Sequence, residues 1–316
     1  MVFLKATLRK ETLMPTTPYL FDVPAKKKLR VIIDSDAACE ADDSFAITHA
    51  LLSPKLLVRA VIAEHFALPG SMEQSFEKIC CLTGLLKSSV PVLRGQEGPL
   101  TGEETLFSAS EGVRFLIAEA RREDPNPLFV LCMGALSNVA AALQLAPDIA
   151  ENMTVVSIGG HEYERDKKAD FKEFNFGNDV TAANVLLRSR VPFWQIPVTA
   201  YGQIRIGLAE LQCKVRPCGA VGEYLFTQMT EYNQSEMAFW TPGESWSLGD
   251  SPSVAVALDP SCGIWDEQPA REVLADTSYG EELPGRLIRV YRSVDSRCLL
   301  EDFFAKLSLS DVANHV

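Results

Sequence analysis

The sequence predicts an α/β protein with an open, mostly parallel (mixed) sheet and helices on both faces. Short apolar runs typical of buried strands alternate along the chain with longer segments whose apolar residues recur at helical spacing. Proline or paired glycine ends several of these segments. No stretch rich in Gly, Pro or Ser divides the alternation, and no internal repeat is present. A regular β-α-β-α order of this kind indicates parallel strands joined by crossover helices.

The elements follow in order along the chain. The helix expected at 41–52 stops at Ser53-Pro54, the one at 136–145 ends before Pro147, and the strand at 154–158 ends at Gly159-Gly160. The strands are expected at 29–33, 57–63, 128–132, 154–158, 192–196, 271–275 and 286–294. The helices are expected at 41–52, 74–86, 111–122, 136–145, 178–189, 208–215, 221–232 and from about 296.

The chain is predicted to form a single domain over residues 29–316, preceded by an N-terminal arm, residues 1–28. The arm contains Pro15, Pro18 and Pro24 and ends in three lysines, which is typical of a solvated segment. At 316 residues with 47% hydrophobic content, the remainder can bury one large core.

Composition excludes several classes of protein. A net charge of −12, with no basic cluster beyond Lys26–Lys28, argues against a nucleic-acid partner. No apolar run approaches the length of a membrane span, so no membrane partner is expected. The eight cysteines lack the paired spacing of a zinc site. Because the first residues do not resemble a secretory signal, we expect reduced thiols and a cytoplasmic location.

An acidic cluster follows the first predicted strand. Asp34, Asp36, Glu40, Asp42 and Asp43 fall within ten residues, between that strand and the next helix. In open α/β sheets this edge is where ligands bind. Two carboxylates about 4 Å apart repel by roughly 4 kcal/mol at an effective dielectric constant near 20. Partial protonation or a bound cation must offset the repulsion, and we favour the cation. One or two of these acids could instead cap the helix.

Three further segments place polar groups after strands or before helices. They are Cys132-Met-Gly-Ala-Leu-Ser-Asn138, Glu173-Phe-Asn-Phe-Gly-Asn178 and Ser247-Leu-Gly-Asp-Ser-Pro-Ser253. In the first, Gly134 allows close approach of the backbone. Each segment alone is a weak signal, since Ser137-Asn138 or Asp250 could cap a helix and Asn175 could belong to a turn.

Taken together, the segments resemble the nucleoside hydrolase (inosine–uridine preferring) family over roughly residues 29 to 300. That family carries an Asp-x-Asp…Asp-Asp signature after its first strand, then Gly-x-Leu-Thr-Asn, Glu-Phe-Asn and a late Asp before a helix. The matching residues, in the same order, are Asp34-Ser-Asp36 with Asp42-Asp43, Gly134–Asn138, Glu173-Phe-Asn175 and Asp250. The resemblance implies a nucleoside hydrolase-like fold.

The resemblance also implies a metal-dependent hydrolase that cleaves the N-glycosidic bond of a ribonucleoside or related riboside, as in purine and pyrimidine salvage. Asp36 would be the general base that deprotonates the attacking water. The metal, Ca²⁺ with Mg²⁺ as second choice, would be held by Asp36, Asp43, Asp250 and the Met133 carbonyl. All-oxygen ligands suit such a hard cation. Asp42, Glu173 and Asn175 would bind ribose hydroxyls, with Asp250 also able to reach one. The partner would be a small nucleoside, and the family's habit suggests a homo-oligomer.

The chain departs from the family pattern at several positions, which indicates a divergent subgroup. The loop between Asp36 and Asp42 is two residues longer than usual, and Cys39 stands where a related form of the loop has asparagine. Many members have a histidine beside the late Asp, a candidate acid for the leaving base, whereas this chain has Gly249. The family asparagine after the second strand is replaced within Ala63-Glu64-His65.

No residue is assigned as the leaving-group acid. His65 and His161 follow predicted strands and are candidate substrate contacts, although a surface or turn histidine is the simpler interpretation of each. Trp246 and Tyr279 could stack on a leaving base, or they could be buried in the core.

Two alternatives from other classes remain open. Asp34-Ser-Asp36 could be the nucleophile and acid of a haloacid dehalogenase-type phosphatase, but that chemistry explains neither Asp42-Asp43 nor Glu173-Phe-Asn175. A ribose- or nucleoside-binding protein that keeps the ion and has impaired catalysis would explain Cys39 and the missing histidine.

Overall fold

The computed structural model describes residues 18–101, 109–163 and 170–314. Its strands are β1 (Leu29–Ser35), β2 (Leu56–Ala63), β3 (Val92–Arg94), β4 (Leu128–Cys132), β5 (Met153–Ile158), β6 (Phe193–Ile196), β7 (Arg205–Gly207), β8 (Ser245–Ser247), β9 (Gly263–Val273) and β10 (Tyr279–Val294). Its helices are α1 (Asp43–Leu51), α2 (Ser71–Leu85), α3 (Glu111–Ala120), α4 (Ser137–Leu145), α5 (Phe174–Asn178), α6 (Val180–Arg188), α7 (Val198–Tyr201), α8 (Leu208–Lys214), α9 (Gly219–Asn233), α10 (Ser251–Leu258) and α11 (Ser296–Asn314).

Eight of these strands form one sheet in the order β3-β2-β1-β4-β5-β6-β10-β9. All neighbouring pairs are parallel except β10 with β9, which are antiparallel. Along β1, Val31 and Ile33 belong to one hydrophobic core and Ile32 to another, because successive side chains of a strand point to opposite faces. Helices cover both faces, so the predicted mostly parallel α/β fold is confirmed.

The far end of the sheet differs from the prediction. A strand is expected at 271–275, but the structure has the longer β9, paired with β10 at the sheet edge. Its first half carries Asp266, Glu267, Gln268 and Pro269, a polar sequence that an edge strand tolerates but that hides the alternation of a buried one. The short strands β3, β7 and β8 were also missed, because three residues carry almost no periodicity.

The direction of chain progression reverses beside β1. From β1 the chain continues to β2 and β3 on one side, whereas β4, β5 and β6 build the other side. In open α/β sheets the crevice outside the carboxyl ends of the strands at such a switch point is the usual ligand site. Asp36 follows β1 and Met133 follows β4, so both lie at this crevice, and the Met133 N–H donates to the Asp34 carbonyl at 2.8 Å.

The N-terminal arm is described only in part, since residues 1–17 lie outside the described residues. Tyr19 is buried, and its hydroxyl donates to the Leu52 carbonyl at 2.5 Å, after the last turn of α1. Ala25–Lys27 form a short 3₁₀ turn before β1. The boundary between an arm and a single domain at residue 29 stays a prediction.

A buried ion pair anchors the amino end of β1, opposite the crevice. Arg30 and Glu119 are 4% and 6% exposed, and Arg30 Nη1 lies 2.9 Å from Glu119 Oε1. Arg59 Nε also approaches this carboxylate, at 3.2 Å. Removing one partner of such a pair leaves a charge in a site of low dielectric constant.

We therefore expect Glu119→Ala to lower the free energy of unfolding by about 3 kcal/mol. Urea denaturation followed by circular dichroism measures the change. The control is Asp148→Ala, which removes the exposed Arg121–Asp148 pair (2.8 Å) and should leave the midpoint nearly unchanged. Equal effects of the two substitutions would contradict a structural role for the buried pair.

Candidate active site

A cavity of about 80 Å³ opens at the carboxyl ends of β1, β4 and β5. The loop after β1, the first turns of α1, α5 and α10, and the short helix α7 complete its wall. Its lining residues are Asp36, Cys39, Glu40, Asp42, Asp43, Met133, Ile158, Glu173, Phe174, Asn175, Tyr201, Gly249 and Asp250. Segments that are far apart in the sequence thus meet at the acidic cluster.

Three of the carboxylates that line this cavity lie closest together. Asp42, Asp43 and Asp250 each place one oxygen so that the three atoms are within 4.8 Å of one another. Asp36 lines the same cavity but does not belong to this tight set. All four side chains are buried. The structure therefore brings together the four aspartates singled out for the site and adds Asp42 to the closest group.

Helix capping does not account for Asp42 and Asp250. These residues occupy the N-cap positions of α1 and α10. Among the described residues, however, neither side chain accepts a hydrogen bond from an N–H group of the helix that it precedes. One oxygen of Asp42 instead accepts from the Asp250 N–H at 3.3 Å. Asp43 accepts from the Ser35 hydroxyl at 2.6 Å. Their side chains are thus held toward one another rather than along the helices.

Burial and mutual repulsion perturb this cluster strongly. Burial, then the neighbouring acids, raise the pKa of Asp36 and of Asp250 well above the usual aspartate range. The same causes raise the pKa of Asp42 to about 7 and that of Glu40 to about 8. Lys78 lies nearby, but its ammonium donates to the main-chain carbonyl of Glu40 at 2.7 Å. Its pKa is lowered, chiefly by burial.

The residues present fit a hard divalent cation. One oxygen of Asp36, Oδ2, is buried and has no hydrogen-bond partner among the described residues. Gly134 leaves room for this carboxylate, because a Cβ there would lie only 2.7 Å from Asp36 Cγ. The lining carboxylates and the Met133 carbonyl offer only oxygen ligands, which hard cations prefer.

Glu173 and Asn175 form the opposite wall. The Glu173 carboxylate accepts from the N–H groups of Asn175 (3.3 Å) and Phe176 (3.0 Å) at the start of α5. The Asn175 amide donates to the Ile158 carbonyl at 3.0 Å and approaches the Met133 carbonyl at 3.5 Å. Both side chains are therefore held in place before any substrate binds, as a pre-organised site requires.

The two candidate histidines do not reach this cavity. His65 is fully buried, with Nε2 2.8 Å from the Ser137 hydroxyl and Nδ1 accepting from the Ala67 N–H at 3.1 Å. Burial lowers its pKa to about 4, so the ring is neutral at pH 7. His161 Nε2 lies 3.2 Å from the Thr277 hydroxyl, which accepts from the Glu173 N–H. His161 thus stands one residue behind the wall.

The aromatic candidates also lie elsewhere. Trp246 is completely buried and packs edge-to-face against Tyr232 and Trp240, at 5.6 and 5.0 Å between ring centroids. Tyr279 stacks on Tyr163, and its hydroxyl accepts from Gln195 at 2.6 Å. The simpler interpretation of both as packed aromatic residues agrees with these positions.

Asp34 supports the site from behind. It is buried, and its Oδ1 accepts from the Asn138 amide at 2.8 Å. The Asn138 N–H in turn donates to Glu64 at 3.1 Å. The carboxylates of Asp34 and Glu64 therefore link β1 and the end of β2 to the start of α4 through Asn138. Asp34 is not among the cavity-lining residues.

Sequence reasoning missed Tyr201. It lies at the end of α7, the four-residue helix directly after β6, and lines the cavity. Its hydroxyl donates to Glu173 Oε1 at 3.2 Å. The only available signal was its position a few residues after a predicted parallel strand, and a lone tyrosine there does not distinguish a site from a packed turn.

Fold and site together define an α/β protein with a candidate metal centre at the switch point of its sheet. The family model of inosine-uridine preferring nucleoside hydrolases matches residues 31–297. The chain therefore belongs to the inosine–uridine preferring nucleoside hydrolase family. It is an N-glycosyl hydrolase that acts on ribonucleosides, which decides against the haloacid dehalogenase-type phosphatase.

Known nucleoside hydrolases are similar to this chain over most of its length. The pyrimidine-specific ribonucleoside hydrolase RihA of Salmonella enteritidis is 24% identical over an alignment of 288 positions that covers 84% of this chain and 88% of the relative. A purine-preferring ribonucleoside hydrolase from Gardnerella vaginalis superimposes with a TM-score of 0.71 at 24% identity, covering 90% of this chain and 99% of that one. The plant nucleoside hydrolase PpNRh1 gives 0.72 at 19% identity, covering 89% and 99%. These structures share the fold of this chain.

The raised pKa values make the stability of the ion-free fold depend on pH. In the unfolded chain Asp42 and Glu40 ionise near their ordinary values of 3.8 and 4.5, whereas in the ion-free fold their pKa values are about 7 and 8. Between these values the unfolded state binds fewer protons than the folded one. Raising the pH from about 4 to about 8 should therefore weaken the ion-free fold through these groups.

We expect a divalent cation to stabilise the protein more at pH 8 than at pH 5, because protons compete for the same carboxylates at the lower pH. A cation at about 100 times its Kd should add about 2.7 kcal/mol to the free energy of unfolding. Thermal unfolding with CaCl₂ or MgCl₂, against NaCl of matched ionic strength, measures the difference. Stabilisation that is equal at both pH values, or greater at pH 5, would contradict a carboxylate site.

Proposed function

We propose that the chain hydrolyses ribonucleosides with Ca²⁺ as its resident ion and Asp36 as general base. The observation that carries this proposal is the cavity in which buried aspartates face Glu173 and Asn175 at the switch point of the sheet. An acidic pocket suits a reaction whose transition state carries positive charge on the sugar ring.

The proposed ligands of the ion are the carboxylates of Asp36, Asp43 and Asp250 and the carbonyl of Met133. Support comes from the buried oxygen of Asp36 that has no hydrogen-bond partner among the described residues, and from the proximity of Asp43 to Asp250. The large, flexible oxygen coordination of Ca²⁺ suits this set better than the strict octahedron of Mg²⁺, which is the second choice. When bound, the cation would lower the pKa of a water molecule and hold it toward the sugar.

Asp36 is positioned to take a proton from the attacking water. As the water oxygen bonds to the anomeric carbon, its proton passes to Asp36, and the electron pair of the breaking C–N bond goes to the base nitrogen. The geometry favours this role, because one buried oxygen of Asp36 in the cavity has no hydrogen-bond partner among the described residues.

Asp42, Glu173 and Asn175 would bind the ribose hydroxyls, with Asp250 able to reach one. Glu173 and Asn175 are already fixed by backbone hydrogen bonds, so little conformational entropy remains to be lost when the sugar binds. His65 and His161 stay proposed as further substrate contacts; among the described residues, both lie outside the cavity lining.

The identity of the base, the compartment and the assembly also belong to the proposal. The relatives include a pyrimidine-specific and a purine-preferring enzyme, so the natural substrate is proposed only as a small nucleoside or riboside of the salvage type.

A reducing, cytoplasmic setting is supported by the eight cysteines, all described and all unpaired. No helix in the described ranges is long and apolar enough to cross a membrane. A net charge of −12 disfavours nucleic acid, and homo-oligomerisation rests on the family resemblance.

We expect reducing sugar to be released from at least one of inosine, uridine and 4-nitrophenyl riboside, and release to stop when a chelator removes the ion. Adding Ca²⁺ back should restore the rate. Ribose binding by calorimetry without turnover of any substrate would instead support an impaired binding protein. Phosphate release from 4-nitrophenyl phosphate would contradict the proposal.

Asp36→Asn should retain ribose affinity and lose most of the turnover, with kcat lower by about 100-fold or more, because the amide cannot accept the water proton. Steady-state kinetics and calorimetric titration with ribose separate the two effects. The control is Asp179→Asn, which alters a buried carboxylate that caps α6 outside the cavity lining and should mainly affect stability. An unchanged kcat in Asp36→Asn would remove Asp36 as the base.

A further inference from the structure

The ring of Tyr201 lies directly over Gly249, the residue before Asp250. A Cβ added at Gly249 would be 3.2 Å from Tyr201 Cδ2 and 3.3 Å from Asp42 Oδ2. These distances are shorter than ordinary van der Waals contacts of a Cβ atom. The Tyr201 ring can therefore occupy this position because residue 249 has no side chain. The ring thereby becomes the wall of the cavity beside the acidic cluster.

The backbone holds this ring firmly. The Tyr201 N–H donates to the Pro197 carbonyl at 3.0 Å within α7, and the Tyr201 carbonyl accepts from the Ser247 hydroxyl at 3.2 Å. The second bond links Tyr201 to the segment that leads into Asp250. Tyr201 therefore bridges the proposed ribose-binding wall, through Glu173, and the proposed ion-binding wall.

Few groups in the cavity can donate a hydrogen bond to a departing base. Among the described lining residues other than the acids, the side-chain donors are Tyr201, Asn175 and the weakly donating thiol of Cys39. The Asn175 amide is directed to main-chain carbonyls. Burial and the neighbouring Glu173 raise the pKa of Tyr201, so its hydroxyl keeps its proton at every working pH.

The departing base needs such a donor. As the C–N bond breaks, its electron pair moves to the base, and the surrounding carboxylates oppose negative charge there. A neutral phenol hydroxyl can stabilise that charge without becoming a charged group itself. Once a ribose hydroxyl donates to Glu173, the Tyr201 hydroxyl no longer needs that acceptor and can rotate toward the base.

We propose that Tyr201 is the leaving-group contact of this enzyme, with its ring packed against the base and its hydroxyl donating to it. This inference rests on the proposed nucleoside hydrolysis. Tyr201 stabilises the departing base by a hydrogen bond and transfers no proton. The proton that the base finally carries comes from solvent water, while the proton of the attacking water goes to Asp36.

The test is Tyr201→Phe, which keeps the ring and removes the hydroxyl. We expect kcat/KM for inosine or uridine to fall roughly 10- to 100-fold, and that for 4-nitrophenyl riboside by less than about 3-fold, because 4-nitrophenolate leaves without help. The control is Tyr19→Phe, which removes a buried tyrosine hydroxyl that bonds a main-chain carbonyl beyond the other end of α1. It should leave both values unchanged. Equal losses on both substrates, or no loss on either, would overturn the assignment.

A binding measurement separates this inference from the proposed function. If wild-type protein cleaves neither substrate, the proposed hydrolysis fails, and calorimetry with pseudouridine, a nucleoside with an uncleavable C–C bond, decides the role of Tyr201. Affinity for pseudouridine that drops about 10-fold in Tyr201→Ala, with ribose affinity retained, supports the base contact. Equal losses for pseudouridine and ribose, or none, would refute it.

Discussion

Buried carboxylates that repel one another are the constraint around which this molecule is organised. Four aspartates from two distant segments lie together in a small cavity, where burial raises the pKa of each and the neighbouring acids raise it further at Asp36, Asp42 and Asp250. In a protein selected only for stability, such a cluster would be replaced by apolar residues, because desolvating like charges destabilises the fold. The position of the cluster at the ligand-binding edge of the sheet is explained by a cation that offsets the repulsion.

The fold supplies what the cluster requires. The sheet reverses its strand order beside β1, so the segments after β1 and β4 diverge and leave a crevice between them. Glycine is needed at two points where groups approach closely. Gly134 makes room for the Asp36 carboxylate, and Gly249 makes room for the Tyr201 ring. The ion pair of Arg30 with Glu119 fixes the opposite end of β1, away from the chemistry.

Much of this arrangement could be predicted from the sequence because its signals are local. Apolar runs marked the central strands, and acids placed directly after β1 could only lie at its carboxyl end. The features without a local signal in the sequence depend on tertiary context. The polar edge strand β9 takes its structure from pairing with β10 rather than from its own pattern. His65 follows a strand as a site residue would, but its ring turns to Ser137, and Tyr201 carries no signal of the glycine that admits it.

The most direct test of the ion's place in this arrangement is a crystal grown with Ca²⁺ and measured for anomalous scattering. The account predicts one strong calcium peak in the cavity, with oxygens of Asp36, Asp43 and Asp250 and the Met133 carbonyl at roughly 2.3–2.6 Å from it. A fully occupied peak without Asp36 among its ligands, or an empty cavity at saturating Ca²⁺, would contradict it.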